Sequence, residues 1–350
     1  MTYGRFGGPV GSASAVCGRL SRIPIWQGDR LCNVAETSLQ DRFAGLSRLK
    51  LFLALSRTPH GLLDMCTPAF GALLWLGYFP SLHIIIIGLV TTFAGYTAVY
   101  ALNDIVDYKV DKEKASKVDL SNSGSDLDGV FVRHPMAQGL LTFREGIWWA
   151  MSWTILALIG ALILNPVCVL IFAGGCALEA IYCLLWRVSP FRTFVSGAVK
   201  TSGAVAAVFA VDPDPSGMYL LCLFLMLFFW EIGGQNIPND WSDVADDKQL
   251  NAKTIPIQWG IQVSSILILG TIILTLAVSA VIFSFSRAEY APTFVILSLA
   301  AGCYLLLLPA LKLFKTRERS HAMLLFNKAS YYPLALLMIV LVKICFSAGE

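Results

Sequence analysis

Charge is scarce in this chain. Only 14% of its 350 residues are Asp, Glu, Lys or Arg, while 56% are hydrophobic and the mean hydropathy is +0.67. A soluble domain carries about 25% charged residues, so that class is excluded. Histidine is scarcer still. The four histidines, His60, His83, His134 and His321, form no H-E-x-x-H and no cluster, which argues against zinc. The nine cysteines include no C-x-x-C pair. Several fall within apolar runs (Cys176, Cys183, Cys222, Cys303) and read as reduced, packing thiols. The formal net charge is only +3, and no nucleic-acid partner is expected.

Long apolar runs take the place of charge. Stretches near the ~20 residues that cross a bilayer recur at 60–79, 82–102, 145–164, 167–186, 194–211, 217–234, 262–285, 291–311 and 324–346. The expected fold is therefore all-α, a polytopic membrane protein of about nine transmembrane helices. With the N-terminus inside, the inner segments 1–59, 103–144, 187–193, 235–261 and 312–323 hold nearly all of the 26 basic residues. Among the opposite loops only Arg287 is basic. This asymmetry is what the positive-inside rule requires.

On that inner side the pattern Asn-Asp-x-x-Asp-x-x-x-Asp occurs twice, each time where an apolar run ends. The copies are Asn103, Asp104, Asp107, Asp111 and Asn239, Asp240, Asp243, Asp247. In a helix the three acids of each copy stand at i, i+3 and i+7, on one face. Two facing rows of carboxylates repel each other unless something positive lies between them. Mg²⁺ suits that place, because it takes oxygen ligands and is held by a few carboxylates together with substrate phosphates. Asp246 stands beside Asp247 as a ligand or a water-facing acid. The spacing of the copies suggests a duplicated unit of a few helices.

Two domains are expected: a flexible N-terminal tail over 1–49 and one transmembrane domain over 50–350. The Gly/Ser-rich residues 1–45 lack the apolar core of a signal peptide. Arg5, Arg19 and Arg22 precede the first acid, Asp29, which weakly resembles a transit peptide. The polar stretch 112–130, broken by Ser, Gly and Asn, reads either as a flap over the first motif or as a plain connector.

A phosphate-bearing ligand needs cations on its oxygens, and Arg133, Arg187, Arg192, Lys248 and Lys253 lie in inner loops. Arginine grips phosphate with two parallel bonds and lysine acts as a point charge. Asp64, Glu179, Lys200 and Glu231 fall inside apolar runs, where ionisable groups are costly and tend to face a polar cavity. The rings of Tyr96, Tyr100, Trp148, Trp149, Tyr182, Trp186, Trp230, Tyr331 and Tyr332 could stabilise a carbocation, although interface belts and ordinary packing account for most such rings.

With these motifs the chain resembles the UbiA superfamily of intramembrane prenyltransferases. ALNDIVDYKVDKEK resembles that family's first Asp-rich loop, and NDWSDVADDKQLNAKTIPIQWG its second. Ser56-Arg57-Thr58-Pro59 is similar to the start of the family's first helix, and the segment Arg133 to Gly139 to its Arg-Pro-Leu-x-x-Gly segment. The resemblance runs from about residue 50 to the end. It implies nine helices around a central cavity, with Mg²⁺ bridging both motifs and an isoprenoid diphosphate. It makes Asn103, Asp107, Asp111, Asn239, Asp243 and Asp247 metal ligands, direct or through water. Asp104 and Asp240 complete the expected metal-binding set, and Asp107, Asp111, Asp243 and Asp247 are the expected catalytic residues. Arg133, Arg187 and Lys253 become diphosphate contacts. The chain departs from the pattern in three places: His134 stands where arginine often precedes the proline, the preceding loop is longer, and Trp186 replaces the lysine of a Tyr-x-x-x-Lys pattern.

The expected function is Mg²⁺-dependent ionisation of an allylic isoprenoid diphosphate and transfer of the prenyl group to an acceptor. The alternative is a membrane-bound terpene cyclase, in which the substrate's own double bonds capture the cation. A cation-coupled transporter is a third possibility, but it would place its acids at mid-membrane depth. The expected partners are the diphosphate substrate and the lipid bilayer. The expected compartment is the endoplasmic reticulum, with the inner mitochondrial membrane second.

Overall fold

The computed structural model describes residues 47–117 and 132–347. The expected tail up to residue 46 and residues 118–130 of the polar stretch lie outside them. Among the described residues every regular element is helical. In chain order the helices are α1 (Arg48–Leu55), α2 (Thr58–Asp64), α3 (Cys66–Leu76), α4 (Leu82–Val106), α5 (Tyr108–Lys117), α6 (Phe143–Leu164), α7 (Pro166–Leu184), α8 (Arg192–Val211) and α9 (Gly217–Trp230). There follow α10 (Ile237–Ser242), α11 (Val244–Gln249), α12 (Ile255–Gln258), α13 (Gly260–Ile282), α14 (Pro292–Gly302), α15 (Leu308–Thr316), α16 (Arg319–Ala329) and α17 (Tyr332–Ser347).

Eight continuous helical stretches among the described residues are long and apolar enough to cross a membrane: 82–106, 143–164, 166–187, 192–211, 217–242, 260–285, 292–316 and 319–346. Large apolar side chains such as Ile86, Val90, Ile155, Ile159 and Leu162 point outward, as they do when lipid rather than water covers a bundle. The ninth expected span, 60–79, is instead two shorter helices, α2 and α3, meeting at Met65. Pro68 has no N–H for the carbonyl of Asp64 four residues back. The hydroxyl of Thr67 donates to that carbonyl instead, at 2.9 Å. The break leaves the Asp64 side chain at the wall of the bundle's interior. The polar stretch also departs from expectation where it is described, because Lys112 to Lys117 continue α5 as helix.

The main apolar core joins α3, α9, α13, α16 and α17 through Leu74, Trp75, Leu223, Met226, Trp230, Ile272, Leu325 and Tyr332. A smaller cluster, Leu51, Leu55, Ala101, Val132, Met136 and Ala150, fastens α1 and the segment before α6 to the inner end of α4. Helices approach closely where glycine allows it. A Cβ on Gly160 of α6 would lie 1.9 Å from Thr91 Oγ1 on α4, so this pair can pack at full depth only with glycine there.

Between α9 and α10 the helix widens into a π turn over Glu231–Asn236. Gly233 and Gly234 offer little helix propensity, and Pro238 cannot donate to the Gly234 carbonyl. A Cβ on Gly233 would meet Thr271 Oγ1 at 2.2 Å and the Ile268 carbonyl at 2.9 Å. The turn is therefore held against α13.

Candidate active site

Both Asp motifs sit at helix junctions of the same kind. The first helix ends one residue before the third motif position, and a second helix begins one residue after it: Asp107 separates α4 from α5, and Asp243 separates α10 from α11. The helical hydrogen bonds nevertheless run on through both junctions. Asp107 N–H donates to the Asn103 carbonyl and Asp111 N–H to that of Asp107, each at 2.9 Å. Asp243 N–H donates to Asn239 at 3.2 Å and Asp247 N–H to Asp243 at 2.9 Å. The one-face arrangement expected from i, i+3, i+7 spacing therefore survives. All eight motif residues line a single small cavity of about 130 Å³.

Cations are threaded between the carboxylates. His134, held at a positive φ of 49°, places Nδ1 3.2 Å from Asp104 Oδ1 and 2.9 Å from Asp111 Oδ2. Lys114 lies 3.2 Å from Asp243 Oδ2 and 3.8 Å from Asp247 Oδ1. Arg57, in the left-handed region at φ 44° ahead of α2, donates to Asn103 Oδ1 at 3.0 Å and to Asp104 Oδ1 at 3.4 Å. Arg192 lies 3.6 Å from Asp240 Oδ1 and donates to the Tyr182 hydroxyl. Positive φ outside glycine is costly, so the strained backbone at Arg57 and His134 is spent on holding two cations at the acids.

Burial and charge shift the titrations of these groups. Burial alone would lower the His134 ring, but Asp111 and Asp104 prevail and raise it to about 9. Burial, reinforced by Asp111, raises Asp107 to about 6. Burial, with Asp240 and Asp243 added against the pull of Lys114, raises Asp247 to about 7. At Asp243 burial acts in the same direction, but Lys114 and Arg133 outweigh it and hold the group below the usual carboxylate range. These are the opposed effects of desolvation and neighbouring charge.

Arg57, Asn103, Tyr182 and Asn239 also border a second, larger cavity of about 410 Å³. Its walls are mostly apolar. They run along α4 from Asn103 to Ile84, and along α8 past Gly203, Ala206 and Ala210 to Val211. At a rise of 1.5 Å per residue, the α4 wall is roughly 28 Å long. Near the small cavity the large one is lined by Tyr96, Tyr100 and Tyr182 and by Asp64, Glu179, Lys200 and Glu231, four ionisable residues of the apolar runs.

Other candidates fall elsewhere. Trp186 lines the small cavity, whereas Trp148 and Tyr331 are exposed and Trp230 and Tyr332 are sealed in the core. Trp149 stacks on Phe52 and donates to Ser56. Arg133 and Arg192 line the small cavity, but Arg187 and Lys253 do not. Arg187 pairs with Glu113 at 2.6 Å, and Lys253 is exposed, with its backbone N–H donating to the Trp186 carbonyl at 2.9 Å. Two cavity cations were not singled out as cations in the sequence, Arg57 and Lys114. Lys114 is three residues beyond Asp111, one turn along the same helical face, and that spacing was the available signal. Nothing local marks Arg57 as facing Asn103 across 46 residues.

A family model for the UbiA prenyltransferase family matches residues 65–334. The digeranylgeranylglyceryl phosphate synthase of Thermococcus sibiricus is 25% identical over 222 residues, 62% of this chain and 71% of that protein. The synthase of the same name from Pyrococcus horikoshii is 24% identical over 220 residues, 62% and 72% of the two chains. Among solved structures, a UbiA homolog from Archaeoglobus fulgidus bound to DMAPP and Mg²⁺ aligns with a TM-score of 0.63 at 17% identity, over 84% of this chain and 99% of that one. A UbiA homolog from Aeropyrum pernix K1 aligns with a TM-score of 0.62 at 18% identity, over 83% and 98%. These two likenesses show a shared fold.

Proposed function

Because this chain belongs to the UbiA prenyltransferase family, we propose that it is an intramembrane prenyltransferase that uses Mg²⁺ to draw diphosphate from an allylic isoprenoid and passes the prenyl group to an acceptor. One observation carries this reading. All eight residues of the two Asp motifs line one small cavity, which shares four wall residues with a long apolar one.

The residues suit the metal. The motifs offer carboxylate and amide oxygens, the hard donors that Mg²⁺ takes, and the buried Asp240 Oδ2 accepts no hydrogen bond within the protein. Asn103, Asp104, Asp107 and Asp111 would hold it from one side, and Asn239, Asp240, Asp243 and Asp247 from the other. When bound, Mg²⁺ neutralises charge that develops on the departing diphosphate. The UbiA homolog from Archaeoglobus fulgidus binds Mg²⁺ with DMAPP or with GPP, which supports the same pairing here.

The chain's own groups do the rest. Arg57, Lys114, Arg133 and Arg192 reach the small cavity and would hold diphosphate oxygens, a stabilisation that grows as the C–O bond breaks. Arg133 keeps the role that the resemblance implied. Arg57, Lys114 and Arg192 take the places expected of Arg187 and Lys253, whose side chains lie away from the wall. The prenyl chain would occupy the large cavity, which has room for several isoprene units, with Tyr96, Tyr100 and Tyr182 facing the incipient cation. Each such contact is worth ~0.5 to 2 kcal/mol.

Eight helices among the described residues are long and apolar enough to cross a membrane, and with the family they make this an integral, multi-pass membrane protein. We place it in the endoplasmic reticulum, with the inner mitochondrial membrane as the alternative that imaging of a tagged full-length chain would reveal. Product analysis tests the activity. Membranes containing the protein would receive Mg²⁺ and labelled geranyl, farnesyl or geranylgeranyl diphosphate, with and without acceptors, beside an Asp107→Ala, Asp243→Ala control. Prenyl transfer that needs Mg²⁺ and both acids is expected. A cyclic product formed without acceptor would make the enzyme a cyclase, and equal turnover in the control would sink both.

A further inference from the structure

Three acids stand on the wall of the large cavity, Asp64, Glu179 and Glu231, and only Glu231 has a buried oxygen without a hydrogen-bond partner. Asp64 is buried and surrounded by donors. Lys200 Nζ donates to it at 2.6 Å, the Tyr100 hydroxyl donates to the same oxygen, and His60 Nε2 lies 3.7 Å from the other. Glu231 is 5% exposed. Its Oε1 accepts from Ser196 at 2.6 Å, while Oε2 is buried and has no hydrogen-bond partner. In the same turn and on the same cavity wall, Asn236 Oδ1 likewise accepts nothing. A buried carboxylate oxygen without a donor costs several kcal/mol, and the side chain that carries this one lines the large cavity.

The backbone reinforces the point. Glu231 opens the π turn, a feature that recurs at functional sites. It precedes Asn239 by eight residues, about two helical turns or roughly 12 Å. It therefore sits just below the layer where diphosphate would bind, at the level where the first carbons of the prenyl chain would lie. The mechanism proposed above leaves it without a task.

We infer that Glu231, positioned by Ser196, is the acceptor-binding carboxylate of the large cavity, and that the acceptor is a hydroxyl-bearing molecule with an apolar body. Orphan acceptor atoms call for a donor. The donor must also be the nucleophile, and a neutral hydroxyl keeps a lone pair for C1 where a protonated amine has none. The apolar walls require a lipid-like remainder. The step then balances: the acceptor oxygen bonds to C1 of the prenyl group as the C1–O bond to diphosphate breaks, diphosphate leaves with the electron pair of that bond, and the hydroxyl proton passes to Glu231 Oε2. Glu231 acts as proton acceptor for the incoming nucleophile and touches none of the metal-binding residues.

This rests on the prenyltransferase reading, and the experiment separates the two. Purified full-length protein in lipid vesicles is given Mg²⁺ and labelled geranylgeranyl diphosphate, with dodecanol, 4-dodecylphenol or a monoacylglycerol as O–H probes. Dodecane and dodecyl methyl ether, which cannot donate, serve as controls. Wild type is expected to form the prenyl ether of an O–H probe and to be thermally stabilised by that probe but not by the controls. In Glu231→Gln, which keeps the shape and the Ser196 contact, kcat for transfer should fall about a hundred-fold, while diphosphate binding stays within about twofold of wild type. Ser196→Ala should raise the KM for the O–H probe and leave that for the diphosphate unchanged. Undiminished transfer in Glu231→Gln, equal stabilisation by dodecyl methyl ether, or failure of every O–H probe to engage an enzyme that binds the diphosphate would each overturn the inference. Failure of wild type to bind the diphosphate with Mg²⁺ would instead bring down the prenyltransferase reading.

Discussion

The ammonium of Lys114 lies 3.2 Å from Asp243 Oδ2, so the helix that continues the first Asp motif reaches across the small cavity to the second. Lys114 is thus a bridge between two motifs more than a hundred residues apart. In a cavity that holds a diphosphate between those motifs, the same cation is placed to meet its oxygens.

Replacing it tests that placement. Lys114→Met keeps much of the stem and removes the charge. The expected result is a KM for prenyl diphosphate raised about tenfold with a smaller change in kcat, the signature of lost substrate binding. An unchanged KM would confine Lys114 to holding the two motifs together.

Stability without metal should fall as pH rises. His134 is raised from 6.5 to about 9 by Asp111 and Asp104 despite its burial, so its contribution is fully present below 6.5 and is lost as pH climbs through 9. Asp107 and Asp247, raised mainly by burial from 3.8 to about 6 and about 7, hold protons that the unfolded chain releases. They lower stability between 3.8 and 7, with the same sign. Thermal unfolding in detergent with a chelator should show both falls, and His134→Gln should flatten only the upper one. A wild-type Tm that rises from pH 6.5 to 9 would contradict the assignment.

At the opposite end of the bundle, Trp75 Nε1 donates to Asp212 Oδ2 at 2.8 Å, and Arg287 pairs with the same oxygen at 2.6 Å. Asp212→Ala orphans the indole N–H of the largely buried Trp75. A loss of about 1–3 kcal/mol is expected, seen as a lower Tm with unchanged turnover per folded molecule. Turnover lost at full stability would show that this latch acts on the site.

Chain length should follow the far end of the large cavity. Ala210 lines it near Val211, and Ala210→Phe would fill part of that space. The kcat/KM ratio of geranyl to geranylgeranyl diphosphate is expected to rise about tenfold, the scale of a few methylenes gained or lost in an apolar pocket. An unaltered ratio would place the chain along another wall.

Much of the bundle was legible in the sequence because its signals are local. A run of apolar residues reports its own span, and motif spacing reports its own helical face whether or not the helix bends at Asp107 or Asp243. The break in the run at 60–79 was not legible for a related reason: hydropathy registers apolar content, but not the carbonyl of Asp64 that Pro68 leaves without a backbone donor. The acids of the two motifs were found because identical spacing occurs twice. The cations opposite them were harder, since Arg187 and Lys253 share the loop chemistry of Arg133 and differ only in the direction their side chains take.

The sequence by itself determined that the chain is a membrane-spanning helical protein with two matched acidic rows at one end, because length, apolarity and periodicity act within a single helix. Tertiary structure decided which groups meet. It brought Arg57 to Asn103, His134 to Asp104 and Asp111, and Lys114 to Asp243. It satisfied Asp64 with Lys200 and left Glu231 Oε2 without a donor. Those outcomes depend on the rotation and depth of helices packed against distant neighbours, and no local pattern in the chain encodes them.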